Sequence, residues 1–312
     1  MQKNKAIGSI VGFAIGDALG APVEFKERGT FEPVEFYRSG GKFNLPAGAY
    51  TDDTAMTLCL AQSLLDKNGC NADDQLQKYI AWLNDGYMSA TGVSVGCGKQ
   101  IYRALLNYLS KKNTVCTIGN NRSAGNGSLM RVSPIAIYYM ENLNKAMQCA
   151  QKSSYTTHKL KICADACIAF TWLLYGFYKG FSKYDILCKE YADYYLFEYD
   201  KNYSYDLEII SILQGSYKNK SEDEINSSGY VVHTLEASLW AFYNSNNFKE
   251  GLLKAINLGK DSDTIGAIYG SIAGAYYGID NIDNDLIEGL MHNKKIIEIS
   301  KQLYDNRYKS DS

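Results

Sequence analysis

Two short stretches concentrate oxygen-bearing side chains of the kind that do chemistry. Thr51-Asp52-Asp53 and Asp261-Ser262-Asp263-Thr264 lie near opposite ends of a 312-residue chain. Each runs directly into an apolar segment, so each reads as the start of a helix. Carboxylates gathered without a cation repel and raise one another's pKa. Hard divalent cations relieve that, and an all-oxygen donor set with no His or Cys selects Mg²⁺, Mn²⁺ or Ca²⁺. If the two clusters meet, four carboxylates and two hydroxyls suit two ions about 3.5–4 Å apart. The alternative is two independent helix caps, which explains one acidic residue per helix better than two.

Three further groups could serve such a centre. Residues 120–131 form a Gly/Asn/Ser-rich loop, Asn-Asn-Arg-Ser-Ala-Gly-Asn-Gly-Ser-Leu-Met-Arg, that feeds a helix near 129–140. Backbone N–H groups in such a loop make an anion site, but the Gly-Lys-Ser/Thr of a P-loop is missing, so a nucleotide triphosphatase is not indicated. His158, between two helices, reads by itself as a cap or core histidine. Glu24 follows a helix that Pro22 is expected to end, and alone it reads as a solvated surface group.

These groups must be positioned by helices. No β alternation of any length appears, and the last proline is Pro134. Helices are expected over about 5–20, 52–66, 73–88, 99–110, 129–140, 143–154, 159–178, 183–199, 206–213, 231–243, 248–257, from 264 onward, and 284–305. Residues 28–50 read as a long Gly/Pro-containing loop and 200–229 as a polar surface excursion. The fold class is all-α, one compact domain spanning 1–312 with roughly a dozen helices.

Glycines recur every four residues at 8, 12, 16 and 20, and again at 266, 270, 274 and 278. A glycine in a helix interior costs about 1 kcal/mol relative to alanine. Four on one face therefore call for close approach by another helix, and the two ladders are expected to be each other's mates. That docking would bring Thr51-Asp52-Asp53 and Asp261-x-Asp263-Thr264 together.

Composition narrows the classes. The net charge of −2 offers no basic footprint for nucleic acid. A hydrophobic fraction of 46% supports a large core. The apolar run Thr264–Ile279 is shorter than the ~20 residues of a membrane span and reads as a buried helix, and Met1–Ile7 does not resemble a signal peptide. Eight cysteines without a C-x-x-C pair, with three histidines, make zinc unlikely and read as small buried hydrophobes of a reduced, cytoplasmic protein.

Taken together, Gly16-Asp17-Ala18-Leu19-Gly20 with Glu24, Tyr50-Thr51-Asp52-Asp53-Thr54, Gly125-Asn126-Gly127-Ser128-Leu129-Met130-Arg131, Thr157-His158, and Asn257-Leu258-Gly259 with Asp261-Ser262-Asp263-Thr264 through Gly278 resemble the ADP-ribosylglycohydrolase family. The resemblance spans nearly the whole chain. It implies an all-helical fold with a centre of two Mg²⁺ (or Mn²⁺) held by Thr51, Asp52, Asp53, Asp261, Asp263 and Thr264. It also implies an ADP-ribose site in which Gly125, Asn126, Gly127, Ser128, Met130 and His158 take the diphosphate and adenosine side. Glu24, Asp52 and Asp53 would carry acid/base work. The partner would be ADP-ribose on a protein side chain or a small molecule, and the reaction would release free ADP-ribose.

Two positions depart from the family pattern. Ser94 stands where many bacterial members carry an Asp used by arginine-directed enzymes, which leaves the acceptor open between Arg, Ser and O-acetyl-ADP-ribose. Lys260 stands where the family often has Gly, and is expected to add a cation beside the metals. These departures favour a second reading, a non-catalytic ADP-ribose binder or structural paralogue on the same fold, and the intact six-ligand set disfavours it. An Asp-rich prenyl-diphosphate enzyme is disfavoured because Asp52-Asp53-Thr54-Ala55-Met56 lacks the last acid of D-D-x-x-D.

Overall fold

The computed structural model describes residues 1–199 and 201–308. Among these, helices make up the whole architecture: α1 (Gln2–Gly20), α2 (Asp52–Lys67), α3 (Ala72–Asp85), α4 (Lys99–Lys111), α5 (Ser133–Tyr138), α6 (Leu143–Tyr155), α7 (Lys161–Tyr178), α8 (Lys183–Leu187), α9 (Lys189–Asp193), α10 (Leu207–Leu213), α11 (Val231–Tyr243), α12 (Phe248–Ile256), α13 (Ser262–Tyr277), α14 (Asn284–Gly289) and α15 (Asn293–Asp305). No strand occurs among the described residues, only the isolated bridges Gly40–Leu45 and Gly125–Tyr230. The all-α expectation holds.

The centre of the molecule is the antiparallel pair α1 and α13, and glycine is what permits it. A Cβ placed on Gly12 would lie 2.3 Å from Gly270 O, on Gly16 2.0 Å from Gly266 O, and on Gly274 2.0 Å from Gly8 O. Any side chain there would force the backbones apart. At this range Ser9 Oγ and Ser271 Oγ share a buried 2.8 Å hydrogen bond, and Ser262 Oγ donates to Gly20 O at 2.9 Å. The segment Gln2–Val23 is long and apolar enough to cross a membrane, yet Ala6–Val23 is buried inside the protein. The expected mating of the two glycine ladders is what the structure shows.

As expected, α1 ends at Gly20, ahead of Pro22; a 3₁₀ turn, Ala21–Val23, follows and leads to Glu24. Three boundaries differ from expectation, each for a local reason. The helix expected near 129–140 is a 3₁₀ turn, Leu129–Arg131, followed by α5, because Pro134 cannot donate in a helix interior and instead starts a new one. The segment 183–199 is broken at Cys188, whose backbone is extended and whose Sγ caps α9 by accepting from Tyr191 N at 3.4 Å; residue 200 lies outside the described residues. The tail 284–305 is two helices. Met291 N donates to Gly48 O at 2.9 Å, and His292 adopts φ +58°, so the long 28–50 loop reaches in and splits the helix.

Candidate functional site

The site begins with a residue whose role the sequence did not disclose. Asp17, in the last turn of α1, is completely buried. Its carboxylate accepts Thr51 N at 2.9 Å, Thr51 Oγ1 at 2.9 Å, Thr54 N at 2.9 Å and Thr54 Oγ1 at 2.7 Å. It therefore grips the first turn of α2 from the side. Thr51 caps α2, accepting Asp53 N at 3.4 Å. Held this way, Asp52 and Asp53 enter the helix at its positive end, which favours carboxylates. Burial raises the pKa of Asp17, opposed by the bonds from Thr54 and Thr51.

The second half of the site starts at α13. Asp261 occupies its N-cap position but makes no capping bond with its side chain. The carboxylate instead accepts from Asn126 Nδ2, which also donates to Thr234 Oγ1 at 2.9 Å. Capping thus accounts for Thr51 and leaves Asp52, Asp53, Asp261 and Asp263 for another purpose. Glu24 is brought in by a backbone clamp. Phe25 N donates to Lys260 O at 2.6 Å, Lys260 N donates to Lys26 O at 2.7 Å, and Asp261 N donates to Ser227 O at 2.9 Å.

These elements enclose a cavity of about 260 Å³. Its acidic lining is Glu24, Asp52, Asp53, Asp261 and Asp263, with Thr264. Gly125, Asn126, Gly127, Met130 and His158 line it too, with Gln100 and Ile101 from α4. Ligand oxygens of Glu24, Asp261 and Asp263 lie within 4.8 Å of one another. Burial, then Asp261 and Asp52, pushes Glu24 up to about 9. Burial, then Asp17, pushes Asp52 up to about 8. Asp53 and Asp263 are raised well above the usual range, by burial first and neighbouring carboxylates second. Asp261 rises only to about 6, because Asn126 and Thr264 oppose burial.

A divalent cation fits this donor set. Glu24 Oε2, Asp53 Oδ2 and Asp263 Oδ1 are buried without a hydrogen-bond partner, an arrangement that is costly unless something positive satisfies them. All the donors are carboxylate or hydroxyl oxygens, the chemistry of hard ions.

The expected site residues converge, with differences. Thr51 does not line the cavity; its hydroxyl donates to Asp17 and accepts from Asp53 N, leaving one lone pair. Ser128 also sits behind the cavity wall, accepting from Ser154 Oγ at 2.9 Å. Lys260 does not place a cation among the carboxylates: its side chain is half-exposed, 3.5 Å from Glu27, and lines a neighbouring groove. Its backbone, at φ +56°, is what serves the site. Ser94 Oγ donates to Leu83 O at 2.8 Å and adds no group to the cavity. Two contributions went unread in the sequence. Asp17 was visible only as part of a motif. Gly96 (φ +83°) backs Asp52 so closely that a Cβ would lie 2.1 Å from Oδ1.

The comparisons with known proteins agree with this geometry. The family model for ADP-ribosylglycohydrolase matches residues 1–312. The ADP-ribosylarginine hydrolase Tri1 of Serratia proteamaculans is 33% identical over 96% of this chain and 79% of its own length. The ADP-ribosyl-[dinitrogen reductase] glycohydrolase of Rhodospirillum rubrum is 28% identical over 92% of this chain and 90% of its own. A solved structure titled ADP-ribosylglycohydrolase-related protein complex superposes with a TM-score of 0.83 at 32% identity, covering 98% of this chain and 99% of that one. The chain belongs to the ADP-ribosylglycohydrolase family, enzymes that hydrolyse the glycosidic linkages of ADP-ribose.

Proposed function

We propose that this enzyme cleaves the N-glycosidic bond between ADP-ribose and a protein arginine. In this reading it uses two Mg²⁺ or Mn²⁺ ions held by Asp52, Asp53, Asp261, Asp263 and Thr264, with the free lone pair of Thr51. The observation that carries the reading is the cluster of buried, unpartnered carboxylate oxygens from both ends of the chain on one cavity. The arginine acceptor is supported by the 33% identity to a protein named for that activity.

Bound there, the ions would polarise the ribose and lower the pKa of water. The chain's own groups do the rest. The loop at 125–127 and His158 hold the ADP portion, so the ribose arrives oriented. The C1″–N bond breaks through an oxocarbenium-like transition state while a water oxygen bonds C1″. Asp52 or Asp53 takes the water's proton. Glu24, which lines the cavity beside Asp261 and Asp263, gives a proton to the departing guanidine. The products are free ADP-ribose and unmodified arginine.

Ser94 favours a second reading, a protein that binds ADP-ribose without cleaving it, since no carboxylate enters the cavity from that loop. The two separate in one assay. ADP-ribosyl-Arg and ADP-ribosyl-Ser peptides and O-acetyl-ADP-ribose are incubated with the protein in Mg²⁺ and in EDTA. The expected result is Mg²⁺-dependent release of ADP-ribose, fastest from the Arg peptide. Release from another acceptor alone would overturn the arginine assignment. No release with retained ADP-ribose binding would establish the binder.

A further inference from the structure

Beneath the loop that lines the cavity lies a guanidinium with no carboxylate partner among the described residues. Arg131 is fully buried and stands over the Tyr79 ring at 4.9 Å. Nη1 donates to Gly127 O at 2.6 Å. Nη2 serves Ser153 O at 3.0 Å, Thr156 Oγ1 at 3.1 Å and, at the shortest distance, Thr157 Oγ1 at 2.8 Å. All its acceptors are neutral.

A guanidinium can only donate, so Thr157 Oγ1 accepts from Arg131. The Thr157 hydroxyl is itself buried, and its hydrogen has one acceptor among the described residues, His158 Nδ1 at 2.9 Å. Leaving that hydrogen unpaired in the interior would cost the desolvation of the hydroxyl with nothing in return. Thr157 therefore donates, Nδ1 carries no hydrogen, and a neutral imidazole must carry it on Nε2. Burial and the Arg131 charge push the His158 pKa down to about 3, which keeps the ring neutral. Its Cε1–Nε2 edge faces the cavity loop: a Cβ on Gly127 would lie 3.0 Å from Cε1, and one on Gly125 3.9 Å from Nε2.

We propose that Arg131 and Thr157 are positioning residues that lock His158 into its neutral Nε2–H tautomer, making it a permanent single hydrogen-bond donor to an oxygen of the bound ADP-ribose. His158 then binds and orients; it neither gives nor takes a proton in the reaction. The identity of the ligand rests on the function proposed above, whereas the tautomer does not.

The chain's three histidines make the test tractable. In ¹⁵N-histidine-labelled protein, long-range ¹H–¹⁵N correlations separate protonated from unprotonated ring nitrogens, with His158 assigned by comparison with His233→Gln and His292→Gln. The wild type is expected to show Nε2–H alone for His158 at neutral pH, with no ligand present. Thr157→Val should bring in an Nδ1–H population and weaken ADP-ribose binding about fivefold, the effect of one misaligned hydrogen bond. Thr157→Ser should restore both. An Nδ1–H tautomer in the wild type, or Nε2–H alone in Thr157→Val, would overturn the proposal. If Thr157→Val does not fold, the wild-type and Thr157→Ser spectra still decide it. A wild type with the expected tautomer that fails to bind ADP-ribose would count against the proposed ligand and leave the relay standing.

Discussion

Lys260 shows how a residue at a site can serve it without its side chain. The backbone sits in the left-handed region at φ +56° and forms two of the three bonds of the clamp that carries Glu24, while the ammonium pairs with Glu27 outside the cavity. A non-glycine residue there costs roughly 1–2 kcal/mol, part of which a glycine returns as chain entropy. Lys260→Gly is expected to raise stability by about 0.5 kcal/mol and leave turnover unchanged, checked by denaturant melts and initial rates. A large loss of turnover would mean that the ammonium reaches the substrate after all. Asp17 is the opposite case. Its side chain never enters the cavity, yet it satisfies two backbone N–H groups and two hydroxyls at the start of α2. Charge-assisted bonds of this kind are worth about 1.5–3 kcal/mol each.

At the scale of elements, the α1–α13 pair converts a glycine pattern into catalytic geometry. Gly20 lies against Asp263: a Cβ there would come within 2.5 Å of its N and Cα. The interhelical distance therefore sets how far the α13 carboxylates stand from those of α2, which Asp17 ties to α1. Gly16→Ala tests this with a change of sign. In an isolated helix alanine would stabilise by about 1 kcal/mol. Here the new methyl meets Gly266 O, and a loss of about 3 kcal/mol is expected, the upper end of the usual cost of overpacking, together with loss of turnover. Melting temperature and rate on the same sample report both.

This ladder was legible in the sequence because a four-residue repeat keeps small residues on one helical face. The acidic helix starts were legible because residue type and position agree there. Asp17 was not, since its partners lie 34 and 37 residues along the chain and nothing local announces them. Arg131 was hidden for the same reason, its acceptors being spread over 127 and 153–157. The break in the last helix is imposed by Gly48 from the far end of the sequence, so helical periodicity alone could not show it.

At the scale of the whole molecule, the fold gathers like charge in its interior and leaves buried oxygens without protein partners. Between about pH 5 and 9 the unfolded chain holds these carboxylates ionised. In the metal-free folded state Asp261, Asp52 and Glu24, pushed up to about 6, 8 and 9, hold their protons longer and release them in turn across this window. The folded state then binds more protons than the unfolded one, so metal-free stability falls as pH rises through this window. Asp263→Asn removes one of the repelling charges without changing shape. The most direct test of the central claim, that this cluster is a divalent-cation centre, is a Mn²⁺ titration followed by melting temperature at pH 6 and pH 8.5, in the wild type and in Asp263→Asn. Mn²⁺ is expected to raise the wild-type melting temperature, more at pH 8.5 than at pH 6. Asp263→Asn is expected to be at least as stable as the wild type without metal and to gain little from Mn²⁺. A wild type indifferent to Mn²⁺ at both pH values, or an Asp263→Asn protein stabilised as much as the wild type, would contradict it.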